Sequence, residues 1–356
     1  MKVIINSPSL NPKENVSGIS SVVQFVMCAN DKVEHIHFEV GRKDTEDTKI
    51  TTRLKRIWRN IKEYKQLLSK NKEAIVHYNI PLMRGAIIRD YMMINEAHKA
   101  GNRIILHIHG GKYLKERNRP FYIKVLLEKI FSYAQSVITL SEEEAKIISE
   151  DFGINNIHTL PNCIDTSDAQ KFNREIDTKK SLDLLFIGRI EANKGIDHIY
   201  SVAQTLKEQN INYTLHFAGK EEREGEYIPK FEAAFKEHFI YHGIVSGATK
   251  NALLRQCDIF LLPSHFEGLP ISLLETMSYG AIPLVTPVGS IPTVVKDGSN
   301  GILIGRDNHK DTADKIKKLS TDKEYFKQLS SSAKSTILAQ FDSKIYVDKL
   351  NKIYKL

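Results

Sequence analysis

Short apolar runs and longer amphipathic stretches alternate along the whole chain. Residues 3–5, 35–40, 74–78, 103–109 and 136–140 are apolar or alternating runs of strand length. Stretches of helical spacing separate them, the first over 19–27. Strands alternating with helices predict a parallel sheet covered on both faces. The pattern resets at 183–187 and continues through 213–218, 259–262 and 282–285. A polar, charged stretch over 165–181 lies between the two series and reads as a connection. At 356 residues the chain is long for one core. The predicted organisation is α/β in two domains, 1–168 and 169–342. In the tail, 343–356, Ile345, Tyr346, Leu350, Ile353 and Tyr354 recur at helical spacing.

The loops after the buried strands carry the candidate chemistry. The apolar run 259–262 ends at Pro263-Ser264 and leads into Phe266-Glu267-Gly268-Leu269-Pro270, with Glu275 eight positions after Glu267. Gly268 and Pro270 mark a turn, and a helix over 272–279 is predicted to stop at Gly280. Glu275 is thereby expected about two turns into that helix, roughly 11 Å along its axis. Ligands of open α/β sheets bind at the carboxyl ends of the strands. Two carboxylates held there suit the hydroxyls of a sugar and a ribose, because a carboxylate accepts hydrogen bonds in fixed directions.

A second loop, Gly188-Arg189-Ile190-Glu191-Ala192-Asn193-Lys194-Gly195, follows the strand at 183–187. Gly188 permits a tight turn, and Arg189 and Lys194 share one short segment, so their charges can converge on a diphosphate. A helix starting near Gly195 is expected to add N–H groups to the same anion. In the first half, His109 ends the strand from Arg103, beside Gly110 and Gly111. His107 and His109 are expected on one face of that strand. The acidic run 44–47 reads as solvated, and no Asp-x-Asp metal motif is evident.

Residues 258–301 resemble the signature of the family-4 glycosyltransferases of the GT-B fold. The likeness continues through Ala281-Ile282-Pro283, Thr286, Val288-Gly289 and Asp297-Gly298-Ser299-Asn300-Gly301, and the 188–195 loop matches the family's Gly-Arg-x4-Lys-Gly element. The resemblance implies two Rossmann-like domains facing across a cleft, with donor on the second and acceptor on the first. The 343–356 helix is expected back on the first. It implies that Glu267 touches the donor sugar, Glu275 holds the ribose, and Arg189 and Lys194 bind the diphosphate. Gly268, Leu269 and Pro270 complete that loop, and His242 and Ile244 lie in the turn that holds the base. Gly18 belongs to the first loop, and His109 stands near the reacting centre. Ser17, Cys163 after Asn162, and Thr293 depart from the family's usual residues.

The implied activity is a retaining, metal-independent transfer from a nucleotide-sugar to a glycan or lipid-linked oligosaccharide, in bacterial surface polysaccharide biosynthesis. No cofactor is implied beyond the donor as substrate. UDP-sugar is favoured over GDP-sugar, although the residues themselves leave the base open. A nucleotide-sugar epimerase of the same fold and a non-catalytic GT-B binding subunit are the alternatives.

Composition adds place and partners. Hydrophobic content of 41% and charged content of 26% fit a soluble enzyme. No apolar stretch approaches the roughly 18 residues of a membrane span. The first residues lack a signal-peptide pattern, and Cys28, Cys163 and Cys257 are unpaired by spacing, so a reducing cytoplasm is expected. Net charge is +8, and residues 42–129 hold 21 Lys and Arg against 9 Asp and Glu. Within them, 52–70 is an amphipathic helix whose stripe of Leu54, Ile57, Trp58, Ile61, Tyr64, Leu67 and Leu68 opposes a basic face. That composition suits either an anionic membrane surface, peripherally on its inner face, or packing on the sheet. No nucleic-acid module is present.

Overall fold

A computed structural model describes residues 1–355 except Pro12, Val16, Arg42, 44–48, Arg84, 117–118 and 176–180. The acidic run 44–47 lies outside the described residues. The chain divides into two compact units, Met1–Cys163 with Ser343–Leu356, and Ile164–Asp342.

The first unit runs β1 (Lys2–Ser7), α1 (Gly18–Ala29), β2 (Glu34–Glu39), α2 (Ile50–Lys70), β3 (Ile75–Ile80), α3 (Ile87–Lys99), β4 (Ile104–Ile108), α4 (Lys112–Lys115), α5 (Phe121–Ser132), β5 (Ser136–Thr139), α6 (Glu142–Phe152) and β6 (Ile157–Thr159). Its strands lie in the order β2-β1-β3-β4-β5-β6, all parallel. β3 and β4 are buried along their whole length, as a sheet covered on both faces requires.

The second unit contains α7 (Ser167–Lys171), β7 (Leu182–Ile187), α8 (Ile196–Glu208), β8 (Tyr213–Ala218), α9 (Ile228–Phe235), β9 (Phe239–Tyr241), α10 (Gly247–Gln256), β10 (Ile259–Leu262), α11 (Ile271–Ser278), β11 (Ile282–Val285), α12 (Ile291–Val294), β12 (Ile302–Leu303), α13 (His309–Thr321) and α14 (Lys323–Gln340). The last helix, α15 (Ser343–Lys355), belongs to the first unit and packs on α1. Strand order in the second sheet is β9-β8-β7-β10-β11-β12, again all parallel. This is the doubly wound order of a dinucleotide-binding fold, and it reverses between β7 and β10.

The polar stretch 165–181 is not a free connection. It contains α7, and Asp168 accepts from Arg255 Nη2 (2.6 Å) and Tyr279 Oη (2.6 Å). Arg174 pairs with Asp258 at 3.0 Å, nearly buried. Polar composition there reflects ion pairs onto the second unit. The amphipathic α2 divides its stripe. Ile61, Tyr64 and Leu68 are buried, while Leu54 is 52% and Trp58 66% exposed. Among the described residues no helix is long and apolar enough to cross a membrane.

β1 and β3 meet where the first sheet reverses order. Asn6 and Asn79 clamp them reciprocally: Asn79 N–H donates to Asn6 Oδ1 (2.7 Å), Asn79 Nδ2 to Asn6 O (2.7 Å), and Asn6 Nδ2 to Asn79 O (3.1 Å). Both side chains are buried. Asn79→Leu keeps the backbone bonds to the Asn6 side chain but removes the Nδ2 bond to the Asn6 carbonyl and the Oδ1 contact with His109 Nε2. It is expected to lower stability by about 2–4 kcal/mol, read as the midpoint of urea unfolding; an unchanged midpoint would refute the clamp.

Candidate functional site

In the second unit the two candidate loops follow the two strands that flank the reversal of order. Loop 188–195 leaves β7 and loop 263–270 leaves β10. The reversal opens a crevice at the carboxyl ends of neighbouring strands. Backbone contacts lock the loops together. His265 N–H donates to Asn193 O (2.8 Å), and Ser290 N–H, at the start of α12, donates to Gly268 O (2.9 Å).

Two glycines allow this. Gly195 has φ +73°, and a Cβ there would overlap the carbonyl of Pro263. Gly289 has φ +58°, and a Cβ there would overlap the Glu267 carbonyl oxygen and lie 2.7 Å from that of Gly268. At Gly188 no neighbouring protein atom requires a glycine. A Cβ at 188 would meet Phe186 at an ordinary 3.6 Å, and the close approach belongs to Gly219, which lies against the Gly188 carbonyl.

The charged residues are paired across the loops. Lys194 Nζ lies 2.7 Å from Glu267 Oε1, which also accepts from Ser264 Oγ at 2.7 Å. Lys194 is therefore tied to Glu267 and is not a second unengaged cation beside Arg189. Arg189 is exposed and makes no hydrogen bond or ion pair among the described residues. Gly268 and Pro270 are half-buried and Leu269 is buried.

α11 begins at Ile271, one residue before the predicted start, with Pro270 as its N-cap. Glu275 is thus four residues in, about 6 Å along the axis rather than 11 Å. Its Oε1 takes a 2.7 Å bond from Lys250 Nζ, on the first turn of α10. Sequence reasoning assigned nothing to Lys250, because a lone lysine in an amphipathic stretch carries no pattern.

The 242–246 turn is held from below by a chain of rings. Asp183 Oδ1 bonds His216 Nε2 (2.9 Å), and His216 Nδ1 meets His242 Nε2 (2.9 Å). Burial, and then the neighbouring His216, hold His242 below its usual range. Gly243 O accepts from Gly219 N–H at 2.7 Å, and Ile244 is 50% exposed. At α9 the Glu221 carboxylate accepts from the N–H groups of Gly225 (2.8 Å), Tyr227 (2.5 Å) and Ile228 (2.9 Å).

In the first unit, Gly18 is the exposed first residue of α1, next to Ser17 as N-cap. His109 follows β4, and its ring lies tilted beside that of His107, 4.0 Å between centroids, as one strand face predicts. His109 Nε2 lies 2.6 Å from Asn79 Oδ1. Burial pushes its pKa down to about 3, against an opposing bond from Asn162, so the ring is neutral at physiological pH. Among the described residues no group of three or more His, Cys, Asp or Glu is placed to hold a metal ion.

Residues 167–336 match the family described as glycosyl transferases group 1, and residues 23–168 match glycosyltransferase family 4. The chain is 26% identical over 246 residues to the N,N'-diacetylbacillosaminyl-diphospho-undecaprenol alpha-1,3-N-acetylgalactosaminyltransferase of Campylobacter jejuni, covering 66% of this chain and 64% of that protein. It is 22% identical over 229 residues to a GDP-mannose:cellobiosyl-diphosphopolyprenol alpha-mannosyltransferase of Xanthomonas oryzae, covering 62% and 59%. The matches thus span less than two thirds of these relatives' length. Anabaena HepE, solved with UDP and glucose, superposes with a TM-score of 0.75 at 16% identity, over 100% of this chain and 99% of that one.

Glu191 lies on the same loop as Arg189. Burial, followed by a hydrogen bond to Glu222 and its charge, raises the Glu191 pKa to about 7 against the opposing Arg189 and Lys194. Sequence reading gave this pair no part. A carboxyl whose folded pKa exceeds its unfolded value stabilises the fold at low pH. That contribution is lost as pH rises through about 7. Glu191→Gln is therefore expected to gain in thermal midpoint relative to the parent between pH 5 and pH 8. A difference that is flat with pH would rule out the shared proton.

Proposed function

We propose, from the premise that the chain belongs to glycosyltransferase family 4, that it moves a sugar from a nucleotide-sugar donor to a glycan or lipid-linked glycan in bacterial surface polysaccharide biosynthesis. One observation carries the reading. The loop bearing Arg189 and Lys194 and the loop bearing Glu267 leave the two strands that flank the reversal of sheet order, and they touch where Gly195 meets Pro263 and His265 N–H meets Asn193 O. An anionic, polyhydroxylated ligand fits such a place.

In this reading the second unit takes the donor. Arg189 grips the diphosphate, and Lys194 turns from Glu267 toward it as the donor enters. Glu267, released on one oxygen and still bonded to Ser264, orients the sugar, and Glu275 holds the ribose. Gly18, Gly188 and the 268–270 segment present backbone to the donor, and the His242–Ile244 turn receives the base. His109, uncharged, is the first unit's residue assigned to the reacting centre.

Transfer proceeds with retention, by front-face substitution. The bond from anomeric carbon to the diphosphate oxygen breaks, and the acceptor oxygen bonds the same face. Its proton passes to a leaving-phosphate oxygen. Arg189 and Lys194 stabilise the charge that builds on the diphosphate, a role the reading gives to side chains and not to a metal ion.

The Anabaena HepE structures hold UDP, UDP-glucose, or UDP with glucose, which supports a UDP-sugar donor. The names of the two bacterial relatives specify diphospho-lipid acceptors, which supports a lipid-linked one here. Such an acceptor favours a peripheral position on the inner membrane face, where exposed Leu54 and Trp58 on basic α2 contact anionic lipid. Co-sedimentation with vesicles containing anionic lipid is expected to fall for Trp58→Ser and in high salt. No sedimentation with anionic vesicles would remove the membrane from the reading, and equal sedimentation with neutral vesicles would remove the role of the basic face.

UDP, with or without chelator, is expected to raise the thermal midpoint more than GDP or ADP. Arg189→Ala or Lys194→Ala should weaken diphosphate binding about 10-fold or more while sparing the nucleoside, as losing a charge-assisted bond predicts. Equal diphosphate affinity in variant and parent would take both residues out of the site.

A further inference from the structure

The second carboxylate of the site has a partner that no sequence pattern announces. Glu275 lies on the first turns of α11, 9% exposed. Among the described residues, its carboxylate has one hydrogen-bond and ion-pair partner, the Lys250 ammonium at 2.7 Å on Oε1. Lys250 comes from the first turn of α10, four residues after Ser246 closes the 242–246 turn. The ion pair therefore joins the helix that follows the base turn to the helix that follows the Glu267 loop.

We propose that Lys250 is a positioning residue that fixes Glu275 for a ribose diol. The inference rests on the donor reading above and deepens it. An ionised carboxylate offers about four lone-pair directions on two oxygens. Held on Oε1 by an ammonium, the group cannot rotate freely, and Oε2 is left to face two vicinal hydroxyls. Without Lys250 the carboxylate loses its fixed orientation, so the energy of two directed bonds is diluted over several rotamers. Lys250 itself is 26% exposed in its side chain, and Glu275 12%. The pair is thus close enough to solvent for a ligand to reach it, and shielded enough for its geometry to persist. Glu267 is arranged differently, since it has two partners, Lys194 and Ser264, on the same oxygen.

The test compares binding of a nucleoside diphosphate with its 2′-deoxy and 3′-deoxy analogues by calorimetry. The probe is whichever of UDP, GDP and ADP binds the parent most tightly. In the parent, loss of a ribose hydroxyl is expected to weaken binding about 10-fold or more, the usual effect of a bond to a charged group. In Lys250→Met that ratio should fall to within about 3-fold, while the deoxy analogues bind variant and parent alike. A purely structural role would instead weaken all ligands together and leave the ratio unchanged, which would overturn the proposal. Lys250→Gln is read the same way should the Met variant fold poorly. In a Glu275→Leu background, Lys250→Met should change the ratio no further, and an additional loss of similar size would also overturn it. A parent that does not discriminate the deoxy analogues at all would refute the ribose assignment of Glu275, and Lys250's role with it. That result is distinct from a discriminating parent whose Lys250→Met variant discriminates equally.

Discussion

The closest constraint in the second unit is the contact of backbone with backbone between its loops. At Gly195 the chain lies against the Pro263 carbonyl, and at Gly289 against the carbonyls of Glu267 and Gly268. Neither place has room for a Cβ. This contact sets the distance between two loops that belong to different strands, and so brings Lys194 to 2.7 Å from Glu267. A side chain at Gly195 would push the two loops apart by the width of a methyl group, and one at Gly289 would push the segment before α12 away from the Glu267 loop. The charged groups would then face water separately, where their attraction is weak.

Charge within the site is arranged in pairs. Lys194 with Glu267 and Lys250 with Glu275 hold their carboxylates in place, while burial and the neighbouring Glu222 raise the Glu191 pKa to about 7. Arg189 stands exposed beside them. The two lysine pairs fix the direction in which each carboxylate presents its oxygens.

Much of this was legible in the sequence. The apolar runs that became β7, β8, β10 and β11 were nearly complete, because strands buried on both faces leave continuous hydrophobic segments. β6, β9 and β12 passed unnoticed. They are two or three residues long, lie in or near the sheet margins, and carry partly exposed or polar side chains. α11 was placed one residue late, a shift of only about 1.5 Å along its axis that does not account for the overestimated depth of Glu275. Proline at the N-cap gave no side-chain capping signal to fix that start.

The sequence by itself determined the α/β class, the alternation of elements, and the two loops that carry Arg189, Lys194, Glu267 and Glu275. These are local properties, written in periodicity, turn residues and spacing. Tertiary structure decided which charges meet. Lys194 and Glu267 are 73 positions apart, and Lys250 and Glu275 are 25. Nothing in either loop's own pattern specifies those partners. They follow from the order of strands in the sheet, which places β10 next to β7. That order comes from how helices pack on both faces of the whole sheet, a global property that no short stretch of the chain contains.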